Sequence, residues 1–361
     1  MKILILTENY PSYNDNYGDW FVHTRCLQYL KEGVHIDVVS FQAAKNYTFE
    51  GVSVFQSSDY LKLNKKNNLV VSHAPNIKHH IKFLLKLKKD VPLVFFFHGH
   101  EIMKTTKYYP SPYSFNKKFN IRWILHRLYD PIKLLILKNY IFSSFKTRGV
   151  KLIFVSKWMQ DVAIKCLSLN NQQENIFLEK SVIIPNGVNS IFLSKDFNFN
   201  SDKKADFITI RPFDNPKYAM DIVYNIAKNY SNYTFHVYGK GDFFNFHPKL
   251  SNLTVFEHYI QQKEIPEILN QYKYALMPTR LDAQGVMMCE IATYKMPLIT
   301  SDIFICKEML KGFSNVGFIP NTIDKIELEK YIPKHVDAEK NDKFDIIKLA
   351  LKEVKIFNEI L

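Results

Sequence analysis

Arg211 and Lys217 stand six residues apart, just after the apolar run 207–210 and at the start of the next amphipathic stretch. Two fixed cations beside a helix N-terminus neutralise a diphosphate, arginine through paired hydrogen bonds and lysine as a point charge. Further on, Asp282 and Glu290 follow the run 275–277, with Gly285 between them where a helix should start. Such a loop offers backbone N–H groups to a sugar or phosphate, and two carboxylates accept hydrogen bonds from hydroxyls. The ligand these residue types suit is phosphorylated and rich in hydroxyls. Either pair alone is also what an ordinary solvated surface carries, so order and placement decide the reading. In open α/β sheets ligands bind beyond the C-terminal ends of strands, and all four charged residues follow strand-like runs.

Short apolar, β-branched runs alternate with amphipathic stretches along most of the chain, which is the pattern of a parallel sheet covered by helices. The spacing predicts strands at 3–7, 35–41, 69–73, 93–97 and 152–155, with a short extra strand within 49–56. After Pro185-Asn186-Gly187 and the polar run 198–204 the pattern restarts, with strands at 207–210, 234–238, 253–256, 275–277 and 298–300. From 343 to 361 apolar residues recur at three- and four-residue steps, as on a helix with one apolar stripe. The organisation expected is a first α/β domain over 1–190, a second over 191–335, and a closing segment 336–361 whose helix packs back on the domains.

A length of 361 residues suits two such domains, and 47% hydrophobic residues with 15% aromatics fill two cores. Four cysteines far apart in sequence exclude a zinc ribbon or a C-x-x-C redox pair and are expected to be reduced and buried. The apolar run at the N-terminus is short for a signal peptide, and no stretch reaches the ~20 apolar residues of a membrane span, so a cytoplasmic protein is expected. The formal charge of +13 is concentrated: between Lys78 and Lys157, seventeen Lys and Arg face three acidic residues. A field of that strength implies an anionic partner, either membrane phospholipid, a phosphorylated substrate or nucleic acid. Cations interleaved with Trp123, Leu134, Leu135, Ile136 and Phe142 fit an interfacial surface over 78–157, and fit equally well amphipathic helices with lysine-rich solvent faces.

The combination resembles a known family. The text from Asp282 through Gly285 and Glu290 to Pro297-Leu298-Ile299 is similar to the E-G-F-G-x-x-x-x-E-A-M-A-x-G-x-P-V-I motif of family 4 retaining glycosyltransferases, which have the two-domain GT-B fold. The resemblance extends to the Arg/Lys pair, to Tyr238-Gly239-Lys240-Gly241, to Ile184-Pro185-Asn186-Gly187-Val188 and to Phe154-Val155-Ser156. It implies two Rossmann-like domains facing each other across a cleft, and retaining transfer of a sugar from a UDP- or GDP-sugar to a glycan or lipid-linked acceptor. Carried over residue by residue, Arg211 and Lys217 hold the donor diphosphate, Glu290 accepts the ribose hydroxyls, and Asp282 with the amides of Ala283, Gln284, Gly285 and Val286 faces the sugar. His98, in His98-Gly99-His100-Glu101, matches the position that reaches the sugar from the first domain. Gly18 and Gly239 lie in the strand-end loops that let the backbone approach the donor.

Two departures stand out. Asp282 replaces the usual glutamate, and Lys295 stands where the family has glycine. No metal or other cofactor is implied, since no D-x-D sits in a suitable loop. His23, His35, His73, His236 and His258 read as structural or surface residues. Two other classes remain open: a GT-B enzyme of another reaction, such as an epimerase or inverting transferase, and a basic nucleic-acid-binding protein. The second lacks any nucleic-acid-binding motif.

Overall fold

The computed structural model describes residues 1–13, 18–334 and 339–361. Within the helix Lys117–Thr147 the side chains of residues 117–120 and 122 lie outside the described residues, and with them Lys117, Lys118 and Arg122 of the basic segment. Contacts group the chain into two units, one of residues 1–104, 128–187 and 346–361, the other of residues 105–127 and 188–345.

The first unit is built on β1 (Lys2–Thr7), β2 (His35–Ser40), β3 (Tyr47–Phe49), β4 (Val52–Phe55), β5 (Leu69–His73), β6 (Leu93–Phe97), β7 (Val150–Phe154) and β8 (Ser181–Ile183). They form one sheet in the order β3-β4-β2-β1-β5-β6-β7-β8, parallel except for the β3–β4 hairpin. The expected single strand over 49–56 is instead that hairpin, because Glu50 and Gly51 both take positive φ (+45° and +82°) and turn the chain back. β5 and β6 are buried along their whole length, as near-continuous apolar runs covered on both faces must be.

The helix Trp20–Lys31 and the C-terminal helix Ile346–Ile360 pack on each other in this unit. Between them the wholly buried Arg25 sends Nε to Glu353 (3.0 Å) and Nη1 to the Asn186 side chain (3.0 Å), while Tyr29 donates to Glu353 (2.5 Å). A buried ion pair satisfied on this many sides specifies register, and removing one partner alone typically costs roughly 3–5 kcal/mol.

The second unit carries β9 (Ala205–Ile210), β10 (Phe235–Tyr238), β11 (Leu253–Phe256), β12 (Tyr272–Leu276), β13 (Leu298–Ser301) and β14 (Val316–Ile319), all parallel, in the order β11-β10-β9-β12-β13-β14. The chain runs from β9 to β10 and β11 on one side, then returns to β12 on the other side of β9. The strand order therefore reverses between β9 and β12, and the crevice at such a switch point is where open α/β sheets take ligands. Residues 105–127 belong to this unit through Tyr113, whose hydroxyl donates to Asp221 (3.1 Å) and whose ring lies 5.1 Å from that of Phe243. All four cysteines are buried, and no disulfide joins them.

Candidate functional site at the second switch point

Arg211 is the first residue past β9. Its N–H donates to the carbonyl of Tyr238 at the end of β10 (3.0 Å), which brings the two strand ends together. Gly239 makes that approach possible: a Cβ there would lie 1.9 Å from the Arg211 carbonyl oxygen. The close approach that Gly239 allows is thus to the cation's own backbone. The Arg211 side chain is only 6% exposed, and its Nε and Nη2 have no hydrogen-bond partner among the described residues. A buried guanidinium with unspent donors is costly unless an anion meets it.

Lys217 sits in the short turn Pro216–Tyr218, which Asn215 caps by accepting the Lys217 N–H (3.1 Å) and which starts with a proline suited to that position. Its carbonyl accepts two hydrogen bonds from the loop after β12, from Arg280 N–H (2.7 Å) and Thr279 Oγ1 (2.9 Å). Arg280 also grips Asp221 through both terminal nitrogens (2.7 and 2.6 Å). The two loops flanking the switch point are therefore tied together. Both cations face the Tyr218 ring, Arg211 Cζ at 5.2 Å and Lys217 Nζ at 4.6 Å from its centroid. Burial pulls the Lys217 pKa down, but Tyr218, Asp282 and Tyr109 outweigh it, so the ammonium sits above the ordinary lysine value and stays charged.

Asp282 lies within electrostatic reach of Lys217. Its Oδ1 accepts the N–H groups of Ala283 (2.8 Å) and Gln284 (3.3 Å), so it shapes its own loop. The side chains of Ala283 and Gln284 are buried. Gly285 caps the helix Val286–Thr293 in the left-handed region (φ +73°), where a Cβ would also come 2.9 Å from Met288 Cε. The first amides of that helix have no intrahelical acceptor, which makes its start a place for an anion. At its other end Lys295 takes φ +67°, the backbone that the expected glycine would favour, at a cost of roughly 1–2 kcal/mol. Its ammonium pairs with Asp196 at 2.9 Å.

Glu290 lies one helical turn beyond Val286, about 6 Å along the axis. It is 2% exposed and pairs with no cation among the described residues. Its Oε1 accepts the Gln262 side-chain amide (3.0 Å) and the Asn189 N–H (3.4 Å). Burial pushes its carboxyl from 4.5 up to about 7, with those two donors pulling the other way. A buried carboxyl raised in this way, with no cation to hold it ionised, changes its charge near neutral pH. The second unit thus gathers Arg211, Lys217 and Asp282 around the β9–β12 reversal and sets Glu290 further along the same helix.

In the first unit, His98 follows β6. Its ring stacks on Phe96 (5.3 Å, 10°), and its Nε2 shares a hydrogen bond with His73 Nδ1 (3.0 Å). Glu101 holds the turn by accepting the N–H groups of His98 and Gly99. Burial, with the charge of Arg25 added, keeps His98 well below the usual histidine range, and burial with His98 and Arg25 does the same to His73. Both imidazoles are neutral at physiological pH. Gly18 makes its close approach to the chain itself, since a Cβ there would lie 2.4 Å from Pro11 N.

The site residues that sequence reasoning did not pick out are Arg280, Tyr218, Gln262, Asn189 and His73. Tyr218 stood beside Lys217 in plain view, whereas Arg280 signals nothing until Asp221, 59 residues away, is seen against it.

No family profile matches the sequence, and no curated protein matches it either. Solved structures do match. Sucrose-phosphate synthase from Thermosynechococcus elongatus superposes with a TM-score of 0.66 at 10% identity, over 99% of this chain and 98% of that one. The fold is GT-B. HepE of Anabaena, solved with UDP and glucose, gives 0.63 at 10% identity over 99% and 100% of the two chains. A glycosyltransferase from Rickettsia africae gives 0.63 at 14% identity over 99% and 98%. The GT-B likeness thus runs through both Rossmann-like domains.

Proposed function

We propose that this GT-B chain is a retaining glycosyltransferase that moves a sugar from a nucleotide-diphosphate donor to a hydroxyl of a glycan or lipid-linked acceptor. The observation that carries the reading is the buried Arg211 guanidinium, with two unspent nitrogens, beside Lys217 at the switch point of the second sheet. A diphosphate supplies the two negative charges and the acceptor oxygens that this pair lacks. HepE, which shares this architecture, was solved with UDP and glucose, and that supports the reading.

In the reaction the bond between the sugar's anomeric carbon and the diphosphate oxygen breaks, and the acceptor oxygen bonds to that carbon from the same face. The acceptor proton passes to the departing diphosphate, so no separate carboxylate nucleophile is needed. Arg211, Lys217 and the first amides of the helix Val286–Thr293 stabilise the charge that grows on the leaving group, which is the largest single aid such a step receives. Glu290 accepts the ribose hydroxyls, Asp282 holds the loop at the sugar, and neutral His98 offers the sugar a hydrogen bond from the first domain.

Thermal melts with UDP, GDP and their sugar conjugates test the reading, because a donor at a hundred times its Kd stabilises by about 2.7 kcal/mol. Arg211→Ala and Lys217→Ala should fold and lose about 10²-fold or more in turnover. Near-normal turnover in both variants would remove the diphosphate clamp, and inverted product stereochemistry, read by NMR, would remove retention.

A further inference from the structure

The helix Lys117–Thr147 is apolar on two opposite faces. One face is held to the first unit: Leu134, Leu137 and Ile141 are buried, Asp130 pairs with Lys133 (3.0 Å), and Lys133 donates to the carbonyls of His100 and Met103 (3.0 and 2.9 Å). The other face carries Leu128 (75% exposed), Ile132 and Leu135 (59% each), with Tyr129 and Ile136 beside them. At about 100° per residue these five positions fall on one arc of roughly 120°. Isolated exposed leucines need no explanation, but a contiguous stripe of this length marks a surface that another phase or molecule covers.

Charge selects the occupant. The helix carries seven Lys and Arg against the single acid Asp130, which is already spent on Lys133. A second copy would bring an equal positive charge against the first, so self-association along this face is opposed by repulsion. An acidic lipid surface satisfies both halves of the pattern, since acyl chains cover the stripe while headgroups meet cations such as the exposed Arg127 and Lys146. A convex helical stripe also suits a planar boundary better than it suits a narrow groove. Among the described residues no helix is long and apolar enough to cross a membrane, so the helix would lie in the interface plane.

We infer that the Leu128–Tyr129–Ile132–Leu135–Ile136 face of this helix docks the protein on an anionic lipid bilayer. The inference does not depend on the reaction catalysed. The test is flotation of the full chain with vesicles of phosphatidylglycerol and phosphatidylcholine, against phosphatidylcholine alone, at low and high salt. Wild type should float with the mixed vesicles at low salt and lose much of that binding at high salt. The double variant Ile132→Glu/Leu135→Glu, each at a solvent-facing position, should lose about 10²-fold in vesicle partition while its melting temperature is unchanged. Should the double variant melt early, Leu128→Gln at the most exposed position carries the same comparison with a smaller loss. Absence of wild-type binding to mixed vesicles, or equal binding by the variants, overturns the inference. So does sedimentation velocity showing a wild-type dimer that the same substitutions dissolve, because a second copy then covers the face.

Discussion

Replacing Glu290 by glutamine is expected to make the fold more stable and donor binding worse, and both effects are governed by pH. The buried carboxyl rises from 4.5 to about 7 on folding, a difference worth about 3 kcal/mol. The folded state holds this proton more tightly than the unfolded chain does. The associated stability is therefore fully present below pH 4.5 and is lost as the pH rises through about 7. Glutamine keeps the oxygen that accepts the Gln262 amide and the Asn189 N–H but never ionises. Glu290→Gln should accordingly match wild type near pH 4.5 and exceed it by about 3 kcal/mol above pH 7, or roughly 6–12 °C in Tm for a domain of this size. Melting curves from pH 5 to 8.5 measure this directly. Donor titrations alongside should show the variant binding at least about tenfold more weakly at pH 8, since a charged acceptor for hydroxyls is gone. Wild-type donor affinity should itself fall about tenfold between pH 8 and pH 6, as the carboxylate takes up its proton. A variant less stable than wild type at pH 8, or a stability difference that does not change with pH, would refute the argument.

Gly239→Ala should destabilise the second unit by about 3 kcal/mol and abolish the donor-induced thermal shift, because the new methyl overlaps the Arg211 carbonyl; an unaltered Tm and shift would mean that the strand ends part freely. His73→Phe keeps the ring contacts with Phe96 and His98 and removes the Nδ1 hydrogen bond. It should lower kcat about tenfold with donor KM unchanged, and kinetics equal to wild type would leave His73 without a part in orienting His98.

The central strands were legible because β-branched runs buried on both faces have few other conformations open to them. Apart from β11, the edge strands were not. β14 contains Gly317, which breaks an apolar run yet is required there, since a Cβ would lie 1.7 Å from the Tyr331 carbonyl oxygen. β8 is three residues long and only partly buried, too little for a pattern. At the site, the order of Arg211, Lys217, Asp282 and Glu290 after their strands could be read directly. Their partners could not, because Asn189 and Gln262 meet Glu290 from 101 and 28 residues away, and no local period records that. Lys295 is instructive in another way: the sequence shows a lysine in place of the family's glycine, and only the backbone shows that the glycine-like conformation is kept.

The closing helix, with Glu353 locked to Arg25 and Tyr29 and with Leu349, Ala350 and Phe357 in the first unit's core, has a bearing on how the chain is born. On the ribosome the sheet of the first unit emerges before the segment 188–345 but lacks those residues until that segment has been made. Residues 105–127 and 188–345 are all outside before then. The unit begun first is the one completed last, and in the interval Arg25 stands as a cation waiting for its carboxylate.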